Sequence, residues 1–364
     1  MHDLLPYGPR LAVCAVLVLA LSSAWGQDST SENDADPTAA VARFQEVTPE
    51  LRDAIERGID WLARNQTEKS GAWPCSPVSY KMSVTALSGL ALLAHGDTPH
   101  AGKYAQNVER AIKFVLDNQK TEGQVAGLFF DKDKGNMDDR PMHGHGFALL
   151  FLSEAYGNTR DEALRKRMHD AIALGCRLVE RTISRDGGWY YHPGQNRDEG
   201  SVTITQIQAL RSAHNAGVLV NKNTIDRAVD YIKRSQMEDG GVRYTLNWGK
   251  TSAALTAAGV SVLQAAGEYH GEAVEKGYQY LRQHLTTDSD GQPFFFYTHL
   301  YAVQAMYQRG GPEWASYFPR IRRELLDMRR GRDYWDSPFG KSYGTGVSLL
   351  ILQVPNRYLP VFQR

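Results

Sequence analysis

Several stretches of this chain end alike. "NQTEKSGAW" closes at Trp73, "RTISRDGGWYY" carries Trp189, and "SQMEDGGVRY" closes at Tyr244. Each follows or ends a charged, helical-looking run. Leu51, Ala54, Ile55, Ile59 and Leu62 form one apolar stripe at helical spacing, and Val108, Ile112, Val115 and Leu116 a second. Ile225, Ala228, Val229 and Ile232 form a third, and Val274, Tyr278 and Leu281 a fourth. A single stripe on a charged helix marks an outer helix with one buried face.

Between these runs lie stretches of another kind. "SVTALSGLALLAHG", "HGHGFALLFLSEAYG", "SVTITQIQALRSAHNAG", "TSAALTAAGVSVLQAAG" and "YGTGVSLLILQVP" are apolar nearly all round, with few charges. Such helices must be covered on most sides. Their Ala, Gly and Ser residues let neighbours approach closely. Trp73, Phe129, Trp189, Val242, Phe294 and Trp335 set the period, with gaps of 56, 60, 53, 52 and 41 residues. Six helix hairpins of this length predict a repeat architecture. A closed, all-α (α/α)6 toroid buries every inner helix, whereas an open superhelix would leave an end uncovered. No strand-rich region is expected beyond extended pieces such as "FFFYT" at 294–298.

The motif that ends the outer helices resembles "FL-x3-Q-x3-G-x-W", the hallmark repeat of the squalene cyclase and protein prenyltransferase superfamily. Trp61 and Leu62 precede Gln66, Gly71 and Trp73, with one extra loop residue. Phe114 and Val115 precede Gln119 and Gly123; Tyr231 and Ile232 precede Gln236, Gly240 and Val242. A further unit keeps Gly187, Gly188 and Trp189 without the glutamine. The resemblance is closest to the exported prenyltransferase/squalene-oxidase repeat proteins of bacteria. These residues are expected to be structural: glycine takes a positive φ, the glutamine amide bonds orphaned backbone groups, and the aromatic pins the turn.

The resemblance also says what to look for, and the searched sets are absent. The cyclase acid "DxDDTA" is not matched by "DKDKGNMDDRP" or by Asp198-Glu199-Gly200-Ser201, although the latter lies where the motif would fall. Cys75 and Cys176 lack the aspartate and histidine of the prenyltransferase zinc set. The "CGEQ" thioester of complement-type toroids and a phosphate loop are missing too.

In a toroid of this kind every inner helix starts at the same end, so the N-termini surround one mouth. The residues placed there are Ser79, Tyr80 and Met82; Asp138, Asp139, His143 and His145; Asp198, Glu199, Ser201 and Thr203; Lys250, Thr251 and Ser252; Tyr297, His299 and Tyr301; and Lys341, Ser342 and Tyr343. Asp198, Glu199, Asp138 and Asp139 are the candidate catalytic acids, expected to be exposed and unshifted. His143, His145 and His299 are the candidate metal ligands, set against hydrogen-bonded histidines at a helix start. No cofactor is implied. Phe147, Phe151, Phe294, Phe295, Phe296, Tyr297 and Tyr301 would either line an apolar pocket or fill the barrel.

The ends of the chain bear on location. Arg10 and the apolar run Leu11 to Leu21, followed by Ala24-Trp25-Gly26, predict a signal peptide over 1–26. An acidic linker over 27–43 and a single toroid domain over 44–364 follow. The expected setting is periplasmic or extracellular, with no stable membrane span after cleavage. Lys plus Arg and Asp plus Glu both number 41, which argues against nucleic acid as a partner. The arginines from Arg322 to Arg332 predict a solvated outer helix face. The expected function is to bind an apolar, isoprenoid- or lipid-like ligand or a protein partner. A terpenoid cyclase-like enzyme or a polysaccharide-active (α/α)6 enzyme is the alternative.

Overall fold

A computed structural model describes residues 46–131, 140–292 and 294–362. The expected signal and linker boundaries, and Asp138 and Asp139, lie outside these residues. The outer helices are α1 (Pro49–Arg64), α3 (Ala105–Asp117), α5 (Glu162–Thr182), α7 (Lys222–Arg234), α9 (Glu272–His284) and α11 (Gly311–Arg329). The inner helices are α2 (Lys81–His95), α4 (Pro141–Tyr156), α6 (Gly200–Asn215), α8 (Ala253–Ala265), α10 (Phe295–Arg309) and α12 (Lys341–Gln353). Each inner helix packs on the next, and α12 packs on α2. The ring therefore closes, as the patterning required. Helix α1 buries Leu51, Ile55, Ile59 and Leu62 only along one side, whereas α2 is buried continuously from Met82 to Ala94. Gly89 lets the Phe151 ring of α4 lie where a Cβ would come within 2.5 Å of it.

The hairpin-ending motif is a joint between repeats. The indole N–H groups of Trp73, Trp189 and Trp335 donate to Leu62 O, Val179 O and Leu325 O at 2.7–2.9 Å. Those carbonyls lie near the C-terminal end of the preceding outer helix, so each indole ties its turn back to that helix. The glutamines reach further. Gln66 donates to Gly71 O and to Asn107 O, Gln119 to Gly127 O and Ala171 O, and Gln236 to Gly240 O and Ala273 O. Each amide thus ties its own loop to the next outer helix, beyond the local capping expected. The glycine of the second repeat is Gly127, not Gly123. At φ +101°, Gly127 faces Leu174 O of the next outer helix as Gly71 faces Arg110 O, whereas Gly123 faces open space.

Two expectations fail around residue 294. "FFFYT" is not extended: Phe295 opens α10. A run of apolar aromatics alone cannot separate strand from buried helix, and burial on the ring settles it as helix. Phe294 is the N-cap residue and 61% exposed, so it neither pins the fifth turn nor lines a pocket. The arginine face is also not wholly solvated. Arg329 is buried, with its guanidinium 5.4 Å from the Trp335 ring centre and bonded to Arg332 O. No disulfide joins Cys75 and Cys176. Among the described residues no helix is long and apolar enough to cross a membrane.

The centre of the ring is packed. Leu87, Leu90, Phe147, Leu150, Gln208, Leu300, Gln304, Leu350 and Val361 leave a void of about 10 Å³. That is room for about one water.

Candidate functional site

The six inner helices carry a matching polar residue near their start: Thr85, His145, Thr203, Thr256, His299 and Thr345. Four threonine hydroxyls and one histidine accept the backbone N–H of the pinned residue. Trp73 N donates to Thr85, Trp189 N to Thr203, Val242 N to Thr256 and Trp335 N to Thr345, while Phe129 N donates to His145 Nδ1. His299 bonds the Tyr317 hydroxyl of α11 at 2.8 Å and stacks on its ring. His145 stacks on Phe129. Both histidines therefore lie in the wall between the layers, and burial pushes each pKa down to about 3.

This placement corrects four expectations. His145, His299 and Thr203 do not face the mouth, because the position they share turns toward the outer layer. Thr251 accepts from the Tyr280 hydroxyl of α9 and belongs to the same wall. The three histidines do not converge, and among the described residues no group of three or more His, Cys, Asp or Glu could hold a metal. Asp198 lies beside Tyr231 of α7, on the outer side of its turn, so only the neighbouring Glu199 reaches the mouth.

Glu199 is the N-cap residue of α6. Its carboxyl accepts from Val202 N at 2.6 Å, Ser201 N at 2.9 Å and Ser201 Oγ at 2.8 Å. It is fully buried, contrary to the exposed, unshifted acid expected. Burial raises its pKa to about 7 against the opposing pull of those hydrogen bonds. His143 Nε2 lies 3.7 Å from Glu199 Oε1 and 3.3 Å from Ser201 Oγ. Burial lowers His143 to about 4. The pair is thus a neutral imidazole beside a carboxyl near half-ionisation at neutral pH, rather than an ion pair.

Tyrosines wall this pair. The Tyr191 and Tyr244 hydroxyls bond each other, and burial together with the Glu199 charge raises the pKa of both. Tyr297 sits among Tyr301, Glu199, Tyr343 and Tyr244, which all disfavour its phenolate. Its buried hydroxyl has no hydrogen-bond partner among the described residues, and neither has that of Tyr301. Edge contacts run on around the rim from Phe296 to Tyr343, from Tyr343 to Phe339 and from Phe339 to Tyr80, with centroids 5.4–6.1 Å apart. The mouth thus gathers Tyr80, His143, Glu199, Ser201, Tyr297, Tyr301 and Tyr343 from the sequence reading.

It also contains three residues that reading missed: Tyr191, Tyr244 and Arg140, whose guanidinium lies 4.6 Å from the Tyr191 ring centre. A signal for the tyrosines exists. Each stands two places after a pinned residue, Trp189 or Val242. There the backbone turns to cap a neighbouring inner helix: Met142 N donates to Tyr191 O and Gly200 N to Tyr244 O. The equivalent Asp131, two after Phe129, forms a 2.6 Å ion pair with Lys81 at the start of α2.

The family model described as the squalene-hopene cyclase C-terminal domain matches residues 133–298, which hold His143, Tyr191, Glu199, Tyr244 and Tyr297. A probable squalene–hopene cyclase of Sinorhizobium fredii is 23% identical over 292 residues, covering 72% of this chain and 44% of that protein. Both matches are to the squalene cyclase/prenyltransferase-like superfamily and support the likeness read from the repeat motif. It spans less than half the length of the curated relatives it matches. Among solved structures, a cellobiose 2-epimerase from Bacillus thermoamylovorans has a TM-score of 0.62 at 13% identity, covering 85% of this chain and 98% of that one. A type II terpene cyclase from Scytonema has a TM-score of 0.55 at 15% identity, covering 86% and 100%. These likenesses establish the α/α-toroid fold.

Proposed function

We propose that the protein is an exported binding toroid whose ligand is seated at the tyrosine mouth, with a polar head beside Glu199 and His143 and an apolar, isoprenoid- or lipid-like body. The observation that carries this reading is the buried Tyr297 hydroxyl, which has no partner among the described residues and is set among aromatic rings around a buried carboxyl. Leaving such a hydroxyl unbonded costs about 1–3 kcal/mol, which a ligand's acceptor or donor would recover. The packed centre keeps the head at the mouth. Export rests on the leader-like first residues.

A second reading is favoured by one specific observation. A carboxyl raised to about 7 beside a neutral imidazole has the protonation states of a general acid–base pair at neutral pH. On that reading Glu199 transfers a proton to or from a bound ligand, as a cyclase-like or sugar-active toroid would require.

Native mass spectrometry of the protein recovered from its export compartment reads the bound mass directly. Farnesol is the starting probe for the isoprenoid reading and cellobiose for the sugar reading. Tyr297→Phe should weaken farnesol about tenfold while the melting temperature holds. Binding of cellobiose but not farnesol would overturn the apolar reading. Turnover that Glu199→Gln abolishes, with a pH profile breaking near the raised carboxyl pKa, would establish the second.

A further inference from the structure

The wall position shared by the six inner helices, from Thr85 to Thr345, fixes what lies opposite it. Two residues earlier on a helix is a turn of about 200°. There stand Ser83, His143, Ser201, Ala254, Tyr297 and Tyr343. The wall residues are fully buried, whereas all of this second set but Ser83 keep some exposure. These positions therefore form one ring facing the mouth. The inner helices α4, α6, α8 and α10 pack in that order, so Ser201 stands between His143 and Ala254, with Tyr297 beyond. The small Ala254 leaves room beside the Ser201 hydroxyl, on the side toward Tyr297.

The surroundings of that hydroxyl go beyond a helix cap. Capping of α6 is complete without it, because Glu199 accepts from Val202 N and Ser201 N. In the next repeat Ser252 caps α8 by accepting from Leu255 N, with no buried carboxyl. A glutamate at that place is thus more than capping requires. Both of its oxygens lie 2.8 Å from Ser201 Oγ, and His143 Nε2 lies 3.3 Å from the same atom. A hydroxyl has one proton and two lone pairs. With the proton given to Glu199, one lone pair accepts from His143 Nε2–H and the other is free to react.

We propose that Ser201 is the nucleophile of an acyl-transfer site, with Glu199 as its general base and a carboxylic ester with an apolar body as its substrate. This rests on the proton-transfer reading of Glu199 and adds the atom that forms the bond. Glu199 takes the Ser201 proton as Oγ bonds to the ester carbonyl carbon and the carbonyl π pair moves to oxygen. The Tyr297 hydroxyl, which has no partner among the described residues, is the donor available to that oxygen. When the pair returns, the bond to the alcohol oxygen breaks, and that oxygen takes the proton from Glu199. Water then attacks the acyl–Ser201 ester and gives Glu199 a proton, and the acid leaves as Oγ takes that proton back. The sum is ester plus water to acid plus alcohol. Glu199, raised to about 7, is matched to this task, whereas His143 at about 4 is too weak a base and positions the hydroxyl.

The test uses the full chain, a fluorophosphonate that phosphonylates activated serines, and 4-nitrophenyl butyrate. The fluorophosphonate should add a phosphonyl group that peptide mass spectrometry maps to Ser201, and the ester should be hydrolysed above the buffer rate. Ser201→Ala should lose both. Glu199→Gln should slow labelling about a hundredfold. Around Glu199 stand His143, the Arg140 guanidinium, Tyr191, Tyr244 and Tyr297. Burial keeps His143 neutral and the tyrosines protonated, so labelling should rise with pH through about 7 as Glu199 ionises. That profile is read on the wild type and stands even where a variant misfolds. An unlabelled wild type, labelling that survives Ser201→Ala, labelling as fast in Glu199→Gln, or a rate that stays flat through that pH overturns the inference. If Glu199→Gln abolishes turnover of another substrate while Ser201 stays unlabelled, the proton-transfer reading stands and only the nucleophile falls.

Discussion

At the residue scale the informative comparison is threonine with histidine at one repeated position. Threonine suffices in four repeats to accept the N–H of the pinned residue. His145 and His299 fill a larger space in the other two and stay neutral there. Their pKa values fall from 6.5 to about 3, so the unfolded chain takes up protons that the folded one refuses. Their neutral burial is therefore without penalty above pH 6.5, and stability is lost as pH falls from there toward the folded values. The double variant His145→Thr, His299→Thr should lose much of that acid sensitivity, read as melting temperature against pH. At pH 8 it should be less stable by about 1–3 kcal/mol per site, since threonine leaves a cavity. The sequence showed three histidines near inner-helix starts. It could not show that two of them take the threonine position, because that needs the six helices aligned by their packing.

At the element scale each outer-to-inner turn is a joint with separable parts. Trp189→Phe keeps the ring but loses the indole bond to Val179 O, which the Thr182 hydroxyl still reaches, and should cost about 0.5–1.5 kcal/mol in denaturant unfolding. Gly240→Ala should cost more. At φ +85° its new Cβ would lie 2.1 Å from Lys276 O of the next outer helix, a backbone atom that cannot swing aside. A finding that Gly240→Ala melts like the wild type would mean that adjacent repeats are not held this closely. The glutamine, glycine and tryptophan were legible as structural from their spacing. Their partners were not: Gln66 bonds Asn107, in the next repeat, and only the stacking of repeats supplies that carbonyl.

At the scale of the whole molecule, closure creates two buried ends with a titrating carboxyl at each. Glu199 at the mouth and Glu154 at the far end are both raised from 4.5 to about 7 by burial. The folded state therefore holds protons that the unfolded state has released, so stability present below pH 4.5 is lost as pH rises through about 7. The histidines act in the opposite sense over the acid range, so the two sets partly offset each other between pH 4.5 and 6.5. Glu154→Gln combined with Glu199→Gln should remove the loss above pH 5 and leave the histidine-driven rise exposed. A calorimetric pH series that shows no such change would mean these carboxyls are solvated in the folded protein.

The local pattern of residues by itself determined the alternation of striped and all-apolar helices, the glycine-and-aromatic turns between them, and so the toroid. Those properties depend on neighbours within a helix or a turn. It also placed Glu199, Ser201, His143, Tyr297 and Tyr343 together, since all stand at inner-helix starts. Only the tertiary structure decided which side chain of a first turn faces the axis and which faces the wall. Helix rotation within the ring sets that, and it separates Glu199 from Asp198 and His143 from His145 across one or two residues. Only the closed ring, too, brought Tyr191 and Tyr244 hydroxyl to hydroxyl and Val361 into the centre. Those contacts join residues far apart in the chain, whose meeting no local pattern encodes.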